Sequence, residues 1–272
     1  MADSHLVVKS SGRVQPGTRP SNKPGGWSGP FRDWRRRLAV HHVPLALASA
    51  VVVVLFTGLS LFSSGRLSLS QFVAATGYVA LALVGLTLLI GPINLLLRRR
   101  NPGSSHQLLQ GVTHKPPIHQ LVRRDVGAWA AIASIVHVIL GFLGLQVHSG
   151  GGISSFLDVF VANGRPLTSN VGLGNWTGLA ALVIVVGLLA ISTDSSMREL
   201  KARRWKSLQR LNYALFALVV LHAYFYGALL QLRMRSPLAL LLVVTIMAVV
   251  LGQAVGVWLW RRRYSRAMAQ PA

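Results

Sequence analysis

Six long apolar runs, separated by short polar segments, constrain this chain more than any other feature. They fall at residues 43–62, 71–97, 126–147, 176–191, 211–230 and 237–260. Crossing the hydrocarbon core as a helix takes about 20 mostly apolar residues. In lipid every backbone polar group must be satisfied within the protein, which leaves helices or closed barrels as spanning structures. Runs of this length predict an all-α polytopic membrane protein, a six-helix transmembrane bundle. Composition agrees, with 52% hydrophobic residues and only 12% charged, about half the soluble norm. The fourth run is short and is expected to begin earlier, among residues 171–175. The second contains Gly91-Pro92, where its last turns are expected to kink or to lie in the interface. The division that follows is a basic, Gly-, Pro- and Ser-rich disordered tail over 1–37, the bundle over 38–263 and a short tail over 264–272. No cleaved signal peptide is expected, because the first apolar run starts late and is of full spanning length.

The formal net charge of +22 would suit a nucleic-acid partner if the basic residues formed one surface. They instead fall in clusters between the apolar runs, so no nucleic acid is expected. With a cytoplasmic N-terminus, the inner segments hold eight Lys and Arg before the first run and six between the second and third. Six more lie between the fourth and fifth, and four follow the sixth. The outer segments hold Arg66, Arg165, Arg233 and Arg235 alone. Under the positive-inside rule both termini are cytoplasmic, and the expected location is a cell membrane, the bacterial inner membrane. The chain has no cysteine, which excludes disulfides, thiolate metal sites and iron–sulfur clusters.

Two histidines, His137 and His222, lie deep in the third and fifth runs. An ionisable ring at that depth is costly and reads as a functional site whose partner must be found. In this topology the two helices run parallel. His137 follows Arg123 by 14 residues and His222 follows Lys206 by 16, or about 21 and 24 Å from their basic anchors. The rings are therefore expected at one level near the bilayer centre, where a haem iron ligated from both sides would be their shared partner. Positions three, four and seven away share a helix face. Around His137 these are small: Ala130, Ala133, Ser134, Gly141 and Gly144. Around His222 they are mostly bulky, such as Leu215, Leu218, Phe225 and Tyr226. One face offers a recess for a flat macrocycle and the other an apolar wall. The plainer alternative is close helix packing through small residues around hydrogen-bonded core histidines.

The stretch Arg123-Arg124-Asp125-Val126-Gly127, followed by His137, resembles the third helix of ferric reductase-like transmembrane domains. Ser192-Thr193-Asp194, the segment Trp205-Lys206-Ser207-Leu208-Gln209-Arg210-Leu211-Asn212-Tyr213, and Leu221-His222 are similar to that family's fourth and fifth helices. The resemblance covers residues 77–260. It implies a six-helix unit that passes electrons across the bilayer through b-type haem, with His137 and His222 at the outer ligand positions. Many relatives carry a second histidine where this chain has Gln209, a poor haem ligand, so one haem is expected here. Full-length reductases of the superfamily append a flavin and nicotinamide domain after the sixth helix. The residues after Trp260 are too few for one, so a separate flavoprotein or membrane quinol is expected as donor.

Other polar residues are weighed lower. His148 lies eleven residues beyond His137 on nearly the same face, at the outer surface. It is either a second outer site or a water-facing ring, and its counterpart on the fifth run is Arg233, which could pair a haem propionate. His41, His42, His106, His114 and His119 are read as solvated. Arg98 to Arg100 and Arg261 to Arg263 fit stop-transfer anchors on anionic lipid. Lys206 and Arg210 fit a plain positive-inside role first, with the acidic face of a donor protein as the alternative partner. Trp176, Trp205, Trp258 and Trp260 fit an interfacial belt. No nucleotide loop, hydrolytic triad or intramembrane carboxylate pair is present.

The expected function is relay of single electrons by one haem b to an extracytoplasmic acceptor, with no catalytic residue of its own. Two rivals are kept. One is a ferric or other metal-ion reductase serving a small external acceptor through the 148–176 loop. The other is a haem-free scaffold or transporter subunit.

Overall fold

The computed structural model describes residues 38–66, 68–100, 118–149, 157–193, 196, 199–228 and 237–268. The tail over 1–37 and residues 269–272 lie outside these, as do His106, His114 and Arg233. A single π turn, Leu38–His42, leads into α1, Val43–Ser64, whose Pro44 occupies the first helical turn, where a missing N–H costs nothing. Gly65 ends α1 at φ 68°, returning its N–H to the Leu61 carbonyl. The helices that follow are α2 (Leu69–Arg100), α3 (Ile118–Ser149), α4 (Asn170–Ala190), α5 (Lys201–Leu208), α6 (Leu211–Phe225) and α7 (Pro237–Met268). Between α3 and α4 a two-residue hairpin pairs β1, Val161–Ala162, with β2, Arg165–Pro166.

Among the described residues, five helical segments are long and apolar enough to cross a membrane, namely Leu38–Leu59, Leu69–Leu97, Leu121–Leu145, Asn170–Ala190 and Ala239–Arg262. The chain is a multi-pass membrane protein. Helix α4 starts at Asn170, earlier than its apolar run, because Ser169 caps it by accepting from the Gly172 amide at 3.2 Å. Helix α2 runs unbroken through Pro92. Helix α6 is shorter than its apolar run predicts. It stops at Phe225, where Tyr226 and a left-handed Gly227 (φ 78°) turn the chain. Its 15 residues span about 22 Å, short of the roughly 30 Å core.

The core forms where α2, α3, α4 and α6 meet. Val79, Leu83 and Val84 of α2 pack with Val126, Ala130 and Ala131 of α3, then with Ala181, Val185 and Leu188 of α4 and Leu215 of α6. Helix α7 lies against α2. Helix α1 is peripheral and leaves Leu47, Val54 and Leu59 more than half exposed. In a membrane that exposure is contact with acyl chains, the environment for which such a helix is composed.

Candidate functional site

Histidines 137 and 222, 85 residues apart in sequence, stand with ring centroids 6.0 Å apart and ring planes 86° to one another. The expected match in level is therefore present. Each ring is held in the same manner. Nδ1 of His137 donates to the Val73 carbonyl of α2 at 2.8 Å, and Nδ1 of His222 donates to the Gly174 carbonyl of α4 at 2.8 Å. A helical carbonyl is normally occupied by its own amide and screened by the side chain four residues on. Here those fourth residues are Gly77 and Gly178. A Cβ on Gly77 would stand 2.8 Å from His137 Cε1, and one on Gly178 would stand 2.6 Å from His222 Nδ1. Both are closer than a real Cβ contact allows, so each imidazole occupies the place of a missing side chain.

The duplication extends one residue further. Thr76 and Thr177, immediately before the two glycines, share their hydroxyls between those same carbonyls, at 3.0 Å to Val73 and 2.9 Å to Gly174, and the carbonyls one residue earlier, at 2.8 Å to Phe72 and 2.9 Å to Leu173. Gly77 and Gly178 also lie eight residues into α2 and α4 respectively. That is about 12 Å from the ends opposite the basic clusters, against roughly 15 Å to the middle of the core. The pair thus sits on that side of the middle of both helices. Thr-Gly is ordinary in a membrane helix, and only the structure shows that these two pairs answer the two histidines.

A neutral imidazole whose Nδ1–H is committed to a carbonyl keeps its lone pair on Nε2, the tautomer in which histidine ligates metals. An iron between two imidazole nitrogens at about 2 Å each would set ring centres about 6 Å apart, as observed here. Gly141, one turn beyond His137 on α3, has open space where a side chain would stand. The residues present thus fit a bis-histidine haem. On the other flank, Tyr226 lies 4.9 Å from His222, centroid to centroid, and its hydroxyl donates to Asn175 of α4. Asn175 in turn donates to the Val159 carbonyl at 2.8 Å, fastening the loop before the hairpin to the same end of the bundle.

The remaining candidates part company with this centre. His148 belongs to the last turn of α3, but its side chain is outside the described residues, as is Arg233. Gln209 caps α5 well inward of the pair, its Oε1 accepting from Asn212 at 3.1 Å. His41 and His42, expected to be solvated, are instead partly buried and engaged. His41 Nδ1 donates to buried Asp125 of α3 at 2.7 Å, while His42 lies 3.6 Å from the same carboxylate and accepts from Trp129 Nε1 at 3.2 Å. A carboxylate 1% exposed needs such partners, and sequence distance hid them. Among the described residues no group of three or more His, Asp or Glu could hold a metal ion.

A multi-pass helical protein with paired histidines facing one another from two helices defines a class of membrane redox proteins. The family described as ferric reductase-like transmembrane component matches residues 76–220, just over half of the 272 residues, and the chain belongs to it. Among curated relatives, the protein-methionine-sulfoxide reductase heme-binding subunit MsrQ of Bordetella pertussis is 38% identical over 86 residues. That match covers 32% of this chain and 39% of the relative. MsrQ of Ralstonia nicotianae is 35% identical over 92 residues, 34% of this chain and 40% of the relative. The chain spans about two-fifths of the length of these relatives.

Proposed function

We propose that this chain binds one haem b between His137 and His222 and relays single electrons from a cytoplasmic flavoprotein or quinol to an acceptor outside the membrane. The observation that carries the reading is the pair of imidazoles 6.0 Å apart, each tied through Nδ1 to a neighbouring helix. Membership of the ferric reductase-like family and likeness to subunits named heme-binding support it. His137 and His222 would hold the haem, which would supply a reversible one-electron change there. The protein's part is positional. His137 and His222 present Nε2, and the Val73 and Gly174 carbonyls hold the tautomer and the ring rotation. The apolar residues of α2, α3, α4 and α6 keep water out. Two histidines committed to holding the group would suit electron relay.

The test is a reduced-minus-oxidised spectrum of the purified protein, together with the variants His137→Ala and His222→Ala. The expected result is a low-spin b-type signal near one haem per chain, lost in either variant. Absence of the signal would leave the haem-free scaffold as the reading. A signal that survives both substitutions would refute the ligand assignment.

A further inference from the structure

Seven residues inward from the histidine site, about 10 Å, the same four helices part to form a cleft. Val84 lies seven beyond Gly77, Val185 seven beyond Gly178, Ala130 seven before His137 and Leu215 seven before His222, and all four line it. The cleft is small, a cavity of about 40 Å³ that opens to the surface. Its other end is polar, lined by Arg123 and Arg124 of α3, Trp205 of α5 and Gln209. Two donors there are unanswered. Arg123 Nε and Trp205 Nε1 are buried without a hydrogen-bond partner among the described residues. A buried N–H left without an acceptor is destabilising, more so on a charged group. No Asp or Glu is among the lining residues. Asp125, the neighbouring carboxylate, lies outside the lining and is bonded to His41.

We propose that this cleft is an anion site that takes a phosphate oxyanion, received by Arg123 and the Trp205 indole N–H. The planar guanidinium fork matches phosphate oxygens in geometry as well as charge. Trp205 is held at the cleft by α5, a strongly basic eight-residue helix, Lys201–Leu208. Arg123 is the third residue of the apolar segment Leu121–Leu145, so the fork lies at the edge of the hydrocarbon core, at headgroup level. Basic pockets between helices at that level suit anionic lipid headgroups, and a soluble phosphate ester would offer the same oxygens. The inference is independent of whether haem binds above.

The test uses the full chain in detergent with two probes. Native mass spectrometry reads retention of phosphatidylglycerol against phosphatidylcholine, and calorimetry reads binding of inorganic phosphate. Selective retention of phosphatidylglycerol would identify a lipid headgroup, and saturable phosphate binding would identify a soluble ester. In whichever arm responds, Arg123→Gln is expected to weaken binding about tenfold or more, with Arg123→Lys intermediate because it keeps charge without the fork. Trp205→Phe, which removes only the indole N–H, is expected to weaken it several-fold and carries the test should Arg123→Gln fail to fold. Silence in both arms, or binding unchanged in all three variants, would overturn the proposal.

Discussion

Replacing Gly77 or Gly178 with alanine forces a choice on the histidine that fills the gap. The added Cβ would meet the imidazole at 2.8 Å or 2.6 Å. The ring must then leave its carbonyl, or its helix must withdraw from the neighbour. Either movement disturbs the ligand geometry without touching a ligand. Partners that orient a metal-bound histidine typically contribute about 10- to 100-fold to affinity. We expect Gly77→Ala and Gly178→Ala to weaken haem retention by about that factor and to shift the low-spin spectrum. Thr76→Val and Thr177→Val, which each remove a hydroxyl shared between two helical carbonyls, should do less. Haem titration of the purified variants reads both, and alanine variants that titrate like the parent would show that the glycines merely pack helices. The histidines themselves were legible in the sequence, because an ionisable ring in lipid is conspicuous at any position. Their supports were not, since a backbone carbonyl has no sequence signature and Thr-Gly in a membrane helix is ordinary. The His41 to Asp125 contact was hidden for a related reason, since it joins residues 84 apart whose meeting depends on how α1 docks.

At the scale of elements, hydropathy found every long helix but not where each one stops. Helix α6 ends three residues after His222, although its apolar run continues to residue 230. Only Gly227 hinted at the break, and an isolated glycine in an apolar run is weak punctuation. Which helices touch was equally unreadable, because small residues line several faces. The α2–α7 contact is a case in point. Gly85 of α2 faces Thr245 and Val249 of α7, whose methyls would lie 2.7 and 3.2 Å from an added Cβ. Both neighbours are β-branched and stiff, so Gly85→Val has no cheap relaxation. About one turn along, Gln253 of α7 donates to the Leu88 carbonyl at 2.7 Å and accepts from Tyr213 of α6 at 3.1 Å. Hydrogen bonds between membrane helices contribute about 0.6 kcal/mol on average and up to about 1.7, whereas overpacking costs about 1–3 kcal/mol. Gly85→Val should therefore lower the thermal midpoint in detergent more than Gln253→Leu does. The reverse order would mean that the polar bridge, not steric fit, fastens α7.

At the scale of the whole molecule, charge asymmetry and the histidine site point to the same polarity. The basic clusters gather at one end of the helices, while the histidine pair lies nearer the other. Orientation then decides which face the relay would serve, and the chain permits a clean measurement because it contains no cysteine. Thr168 precedes α4 just after the hairpin, and Ser207 lies in α5 beyond the opposite end of α4; both are exposed. A single cysteine at either place is a small change on the surface. The positive-inside rule leads us to expect that Thr168→Cys reacts with a membrane-impermeant maleimide in intact spheroplasts, and that Ser207→Cys reacts only after permeabilisation. The opposite pattern would invert the topology and put the histidine pair nearer the cytoplasmic face. Labelling of both residues from one side would be more damaging, because α4 could not then cross the membrane and the bundle geometry that sets the two imidazoles face to face would lose its frame.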